Sequence, residues 1–177
     1  MQKPYAILYM INSYRKFLTL LKYDARFYDD YLNLKIPGVL WLSMIYGLRH
    51  IIFLAAYKLM PAEVLSTDWL AVQLSPALIF LDIPALMVLL STGHRLPEAH
   101  KIMRLVWLNG RKLLLCSYLG SILLFTYLNF DLIQKFTFEN LSLIFSVLIF
   151  DIVISLYLYK SNLTKDIFNE FPEEAKK

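Results

Sequence analysis

Four stretches of this chain, 37–57, 70–91, 113–129 and 141–159, are dominated by apolar residues and reach or approach the roughly 20 residues that a helix needs to cross a bilayer. Inside lipid a backbone must satisfy its own hydrogen bonds, so such stretches are read as helices that span. None of them alternates apolar and polar residues with a period of two between turns, which argues against a barrel. The expected fold is therefore an all-α integral membrane protein with four transmembrane helices. The apolar content of 58% against 18% charged residues agrees, since soluble domains run at about 45–50% apolar. A length of 177 residues fits one domain. The single cysteine excludes a disulfide-built scaffold.

Basic residues supply an orientation. Residues 1–36 carry Lys3, Arg15, Lys16, Lys22, Arg26 and Lys35, and the 92–112 connection carries Arg95, Lys101, Arg104, Arg111 and Lys112. Four more lysines follow Tyr159, whereas the 58–69 and 130–140 connections hold only Lys58 and Lys135. Under the positive-inside rule this bias places both termini and the middle loop in the cytoplasm. It also explains the net charge of +4 without nucleic acid, for which no binding pattern is present. Membrane lipids with anionic headgroups are the expected partner at the cytoplasmic face.

The expected organisation is an interfacial segment over 1–36, a membrane domain over 37–159 and a charged tail over 160–177. Within the first, Asn12, Arg15, Lys16, Thr19 and Lys22 recur on one side at helical spacing, with Ile7, Met10, Tyr14, Phe17, Leu18 and Leu21 on the other. That pattern predicts an amphipathic helix lying in the membrane surface. No small-residue cleavage pattern marks a removable signal peptide. Trp41, Trp69 and Trp107 fall near span ends, where amphipathic rings favour headgroup depth.

The ionisable residues inside the spans are the main candidate site. Arg49 follows Pro37 by 12 positions, Asp82 follows Leu70 by 12 and Asp151 follows Leu141 by 10. At about 1.5 Å per residue all three reach the middle of a core about 30 Å thick. Each would cost about 3 kcal/mol or more facing lipid, so Arg49 is expected to pair with one or both aspartates. His50 points about 100° away from Arg49 and can engage a neighbouring helix or titrate in its own right. Three roles are open to this cluster: a structural clamp, a ligand or headgroup site, and a proton or ion path. Pro84, two residues after Asp82, is expected to bend its helix and free a carbonyl near Phe80. Ser43 with Gly47, and Ser117 with Ser121, form small-xxx-small pairs suited to close helix packing.

Known catalytic and cofactor motifs are missing from the sequence, so no enzyme activity, catalytic residue, cofactor or metal is expected. His94, Glu98 and His100 lie close together, but Pro97 interrupts them and no further ligand cluster accompanies them. Cys116, in an apolar context, is expected as a packed thiol.

The segment YDDYLNLKIP, positions 28–37, resembles the Y-D-x-x-G-x-L-K-x-P segment of a family of small, uncharacterised inner-membrane proteins of Gram-negative bacteria. Tyr28, Asp29, Asn33, Leu34, Lys35 and Pro37 carry the match, while Leu32 stands in place of the family's glycine. Arg49 in the first span, and Pro84, Gly93 and Arg95 around the second, extend it over roughly 28–110. The resemblance implies a multi-pass protein of the bacterial inner membrane and implies no activity. Independently of the family, Asp29 or Asp30 can hold Arg95 or Arg111, or dock a partner protein. Two functional classes fit these observations. One is a non-enzymatic accessory or assembly protein in a larger inner-membrane complex. The other is a small oligomeric transporter, proton- or ion-coupled through Arg49, Asp82 and Asp151.

Overall fold

The computed structural model describes residues 22–28, 33–59, 74–96, 98–134 and 138–172. They belong to two units, Met1–Lys35 and Ile36–Lys177. In the first, a 3-10 turn at Ala25–Phe27 leads to an antiparallel bridge between Tyr28 and Leu34. The Lys35 N–H closes it by donating to the Phe27 carbonyl at 2.7 Å. The interfacial helix read over the first residues lies outside the described residues, as does Asp29.

The second unit is built of α-helices. In chain order these are α1 (Gly38–Tyr46), α2 (Arg49–Leu59), α3 (Pro76–Thr92), α4 (Lys101–Leu108), α5 (Gly110–Leu128), α6 (Phe130–Gln134), α7 (Phe138–Lys160) and α8 (Asn162–Asn169). Proline opens two of them: Pro37 is the N-cap of α1 and Pro76 begins α3, places where its missing donor costs nothing. The bundle centres on α5, which packs against α3 on one side and α7 on the other, while α1 and α2 lie on α3. Leu78 of α3, Phe125 of α5 and Ile144 of α7 form a buried apolar cluster.

The outer surface is apolar as well. Phe80, Leu123, Phe145, Ile149, Phe150 and Val153 are all more than half exposed, whereas Arg49, His50, Asp82 and Asp151 are buried. A soluble monomer rarely exposes apolar surface on this scale, and a chain that faces lipid does so routinely. Ionisable groups inside and large apolar side chains outside are what a low-dielectric surrounding selects.

The four-span expectation is overturned. Among the described residues only α5, 19 residues with a mean hydropathy of 1.3, is by itself long and apolar enough to cross a membrane. Two further spans arise only if bent pairs are each counted as one, α1 with α2 across a 58° bend and Ile144–Lys160 with α8 across a 67° bend. The stretch read as a second span yields α3, which has 17 residues and is about 26 Å long, short of a 30 Å core. The reason is physical: apolar length sets an upper limit, whereas helix length is set by where backbone hydrogen bonding is interrupted. Pro76 opens α3 with Ser75 as its N-cap, and the first stretch breaks at Gly47 and Leu48. The placement of both termini in the cytoplasm rested on four crossings and loses that support.

Two smaller expectations also change. Trp107 does not lie in a headgroup belt; it is fully buried, packs on Phe168 with ring centroids 4.8 Å apart and donates its indole N–H to the Ile167 and Glu170 carbonyls. Cys116 is exposed rather than packed. The residues following Tyr159 include α8, whose Thr164, Ile167 and Phe168 are buried.

Gly47 shows why the break in the first stretch packs closely. Its φ of −65° is ordinary right-handed geometry, so conformational freedom is not what the position requires. A Cβ there would stand 2.9 Å from the Ala85 Cβ, a rigid atom that cannot swing aside. Gly47→Ala is expected to lower stability by about 1–3 kcal/mol through overpacking, and Gly47→Ala with Ala85→Gly to recover most of it. Thermal unfolding in detergent checks this; equal losses in the single and double variants would rule out the contact as the cause.

Candidate functional site

The break between α1 and α2 exposes a problem that side chains solve. The first backbone N–H groups of an α-helix have no acceptor within the helix, and apolar side chains offer none. Ile51 sits in the first turn of α2, and its N–H donates to Asp82 Oδ2 at 2.9 Å. Asp82 thus caps α2 from a neighbouring helix, and its position also suits the positive end of the helix dipole. The other oxygen, Oδ1, lies 2.8 Å from His50 Nδ1. One carboxylate therefore serves both the backbone and a side chain at the start of α2.

Arg49 takes the other acid. Its Nη1 and Nη2 donate to Asp151 Oδ1 and Oδ2 at 2.8 and 2.7 Å, the parallel two-bond geometry in which guanidinium and carboxylate match best. Nη2 also donates to Ser121 Oγ at 2.9 Å. The guanidinium lies 4.7 Å from the Tyr46 ring centroid, where the ring face favours a cation. Tyr46 in turn stacks on Tyr118 with an interplanar angle of 8° and tilts against Phe150 at 5.9 Å. The Tyr118 hydroxyl donates to the Ser43 carbonyl. These contacts join α1, α2, α5 and α7 around one arginine.

The four ionisable residues form one neighbourhood split into two pairs, Arg49 with Asp151 and His50 with Asp82. His50 and Asp82 remain within electrostatic reach of Asp151. Formal charges sum to zero when His50 carries a proton and to minus one when it does not. Three buried polar atoms in this region, Arg49 Nε, His50 Nε2 and Ser155 Oγ, have no hydrogen-bond partner among the described residues. The small residues expected to permit close packing also form polar contacts: Ser117 Oγ donates to the Leu81 carbonyl at 2.5 Å, and Ser121 accepts from Arg49. That Leu81 carbonyl lies three residues before Pro84, next to the one at Phe80 read as freed by the proline.

Other sequence candidates lie elsewhere. Tyr28 and Lys35 stand at the bridge in the first unit, with Lys35 exposed, and the Pro37 carbonyl accepts from the Leu40 and Trp41 N–H groups at 2.9 and 3.1 Å. His94 Nδ1 is 3.0 Å from the Leu90 carbonyl, and His100 Nδ1 accepts from the Ile102 N–H at 3.3 Å, so both rings serve helix ends. Among the described residues no group of three or more His, Cys, Asp and Glu is placed to hold a metal. Sequence reasoning missed Tyr46, Tyr118 and the capping role of Asp82. A tyrosine hydroxyl in mid-span needs a partner, and that was the available signal for Tyr118.

Because Asp82 accepts from two donors, its substitutions should separate them. Asp82→Ala strands both and is expected to cost about 2–5 kcal/mol; Asp82→Asn keeps a carbonyl oxygen for one and is expected to cost about 1–2 kcal/mol. Chemical denaturation in detergent measures the difference. Equal losses would contradict the double role.

Comparison with known proteins adds a family. A search of curated proteins and of solved structures finds no match. A family model described as a protein of unknown function, DUF2919, matches residues 72–170, a region that includes Asp82, Tyr118, Ser121 and Asp151 but neither Arg49 nor the 28–37 segment. That match spans more than half of the chain, and the protein belongs to the DUF2919 family.

Proposed function

We propose that this protein is a non-enzymatic accessory or assembly protein of a Gram-negative bacterial inner membrane, working as a subunit or stabiliser of a larger membrane complex. The observation that carries the reading is Asp151. It is fully buried and both of its oxygens are held by the Arg49 fork, which suits a clamp between helices better than an ion relay. The exposed apolar faces of α3, α5 and α7 then meet lipid and partner helices. With one helix of membrane-crossing length and two bent pairs among the described residues, little room remains in a single chain for a substrate path.

A second reading, a small oligomeric proton- or ion-coupled transporter, draws on His50. Its Nε2 is buried without a hydrogen-bond partner among the described residues while Nδ1 faces Asp82, and an imidazole held in this way can pass a proton. The two readings part in one experiment. The chain, expressed at its native level and extracted in mild detergent, is expected to elute as a stoichiometric component of a larger particle. Elution alone, together with a pH-driven flux in reconstituted vesicles that His50→Gln abolishes, would replace the accessory role with transport.

A further inference from the structure

Where α5 begins and α7 ends, a groove of about 310 Å³ opens against α8, lined by Arg111, Lys112, Leu115, Tyr159, Lys165 and Phe168. We propose that it binds the phosphate of an anionic phospholipid, with the headgroup on the basic residues and an acyl chain along Leu115 and Phe168. The inference rests on the membrane reading above.

Three cations converge on this groove, and their situations differ. Arg111 is fixed: its Nε donates to the Leu158 carbonyl at 2.8 Å and its Nη2 to the Tyr159 carbonyl, so it satisfies the last turn of α7 while holding its charge at the groove. Lys112 and Lys165 are exposed and enter no ion pair with a described residue. The apolar wall is equally fixed. Phe168 lies so close over Gly110 that a Cβ there would stand 2.5 Å from its ring, and Trp107 packs directly on the same ring.

Depth distinguishes this groove from an ordinary basic patch. Arg111 and Lys112 occupy the first turn of the membrane-length helix α5, and Tyr159, 68% exposed, lies in the last turn of α7. Helix ends flanked by basic and tyrosine side chains mark headgroup level. A phosphate with an apolar substituent uses both walls, whereas a free phosphate uses the cations alone.

The test uses the full chain in neutral detergent, with retained lipid counted by native mass spectrometry. Carbonate extraction of membranes first establishes insertion; release of the chain at that step would overturn the membrane reading itself. On inserted protein, phosphatidylglycerol is expected to be retained in preference to phosphatidylcholine. Lys112→Gln with Lys165→Gln is expected to weaken it about tenfold or more, while Lys112→Arg with Lys165→Arg and Lys58→Gln with Lys101→Gln leave it unchanged. Equal retention of the two lipids, or no effect of the Lys112 and Lys165 glutamines, would overturn the site. Displacement of phosphatidylglycerol by millimolar inorganic phosphate would overturn the lipid assignment in favour of a free anion.

Discussion

A guanidinium that cannot shed its proton has been taken out of water in this protein, and much of the bundle is arranged around that fact. Arg49 is only 7% exposed. Desolvating such an ion costs several kcal/mol, which its partner repays only with good geometry and further hydrogen bonds. Asp151 supplies the geometry from α7, Ser121 an additional acceptor from α5, and Tyr46 a ring face from α1. Sliding any one of these helices along its axis would separate a charge from its partner in an apolar interior. The network therefore fixes register as well as partners, something that exposed Leu and Phe faces cannot do in lipid, where helix contacts are as apolar as their alternatives.

The same region carries the main irregularity of the fold. A broken helix amid apolar residues leaves first-turn N–H groups that lipid cannot satisfy, and Asp82 answers that need at Ile51. Its second oxygen then faces His50. The break and the ionic cluster are thus one device: the bend between α1 and α2 brings Arg49 and His50 to the start of a helix, and the two acids receive them from α7 and α3. Gly47 allows this by letting the bend approach Ala85 closely.

Much of the cluster could be read before any coordinates, because depth along a spanning stretch follows from residue counting. Arg49, Asp82 and Asp151 fall at similar counts from the ends of their apolar stretches, and the structure brings them into one neighbourhood. Which acid pairs with Arg49 was not readable, since it depends on rotation about each helix axis and on tertiary packing. The 100° separation of His50 from Arg49 held part of the answer, sending the two side chains to different helices. The number of spans is not legible from hydropathy, which sums side chains and does not register interrupted backbone hydrogen bonds. The Gly47–Leu48 break bends a stretch whose composition is mostly apolar, and α3 starts only at Pro76. The place of Trp107 is hidden for a related reason: an aromatic near a span end has the same sequence signature whether it meets headgroups or, as here, the helix α8.

The clamp between Arg49 and Asp151 is tested most directly by a double-mutant cycle on unfolding in detergent. Arg49→Met alone is expected to cost about 3–5 kcal/mol, because it strands a buried carboxylate. Adding Asp151→Leu should recover much of that loss, with a coupling well above the roughly 0.5 kcal/mol expected of independent sites. Adding Asp82→Asn in place of Asp151→Leu should recover none of it, since Asp82 is committed to Ile51 and His50. Recovery by Asp82→Asn equal to that by Asp151→Leu, or an Arg49→Met variant as stable as the parent, would contradict the account.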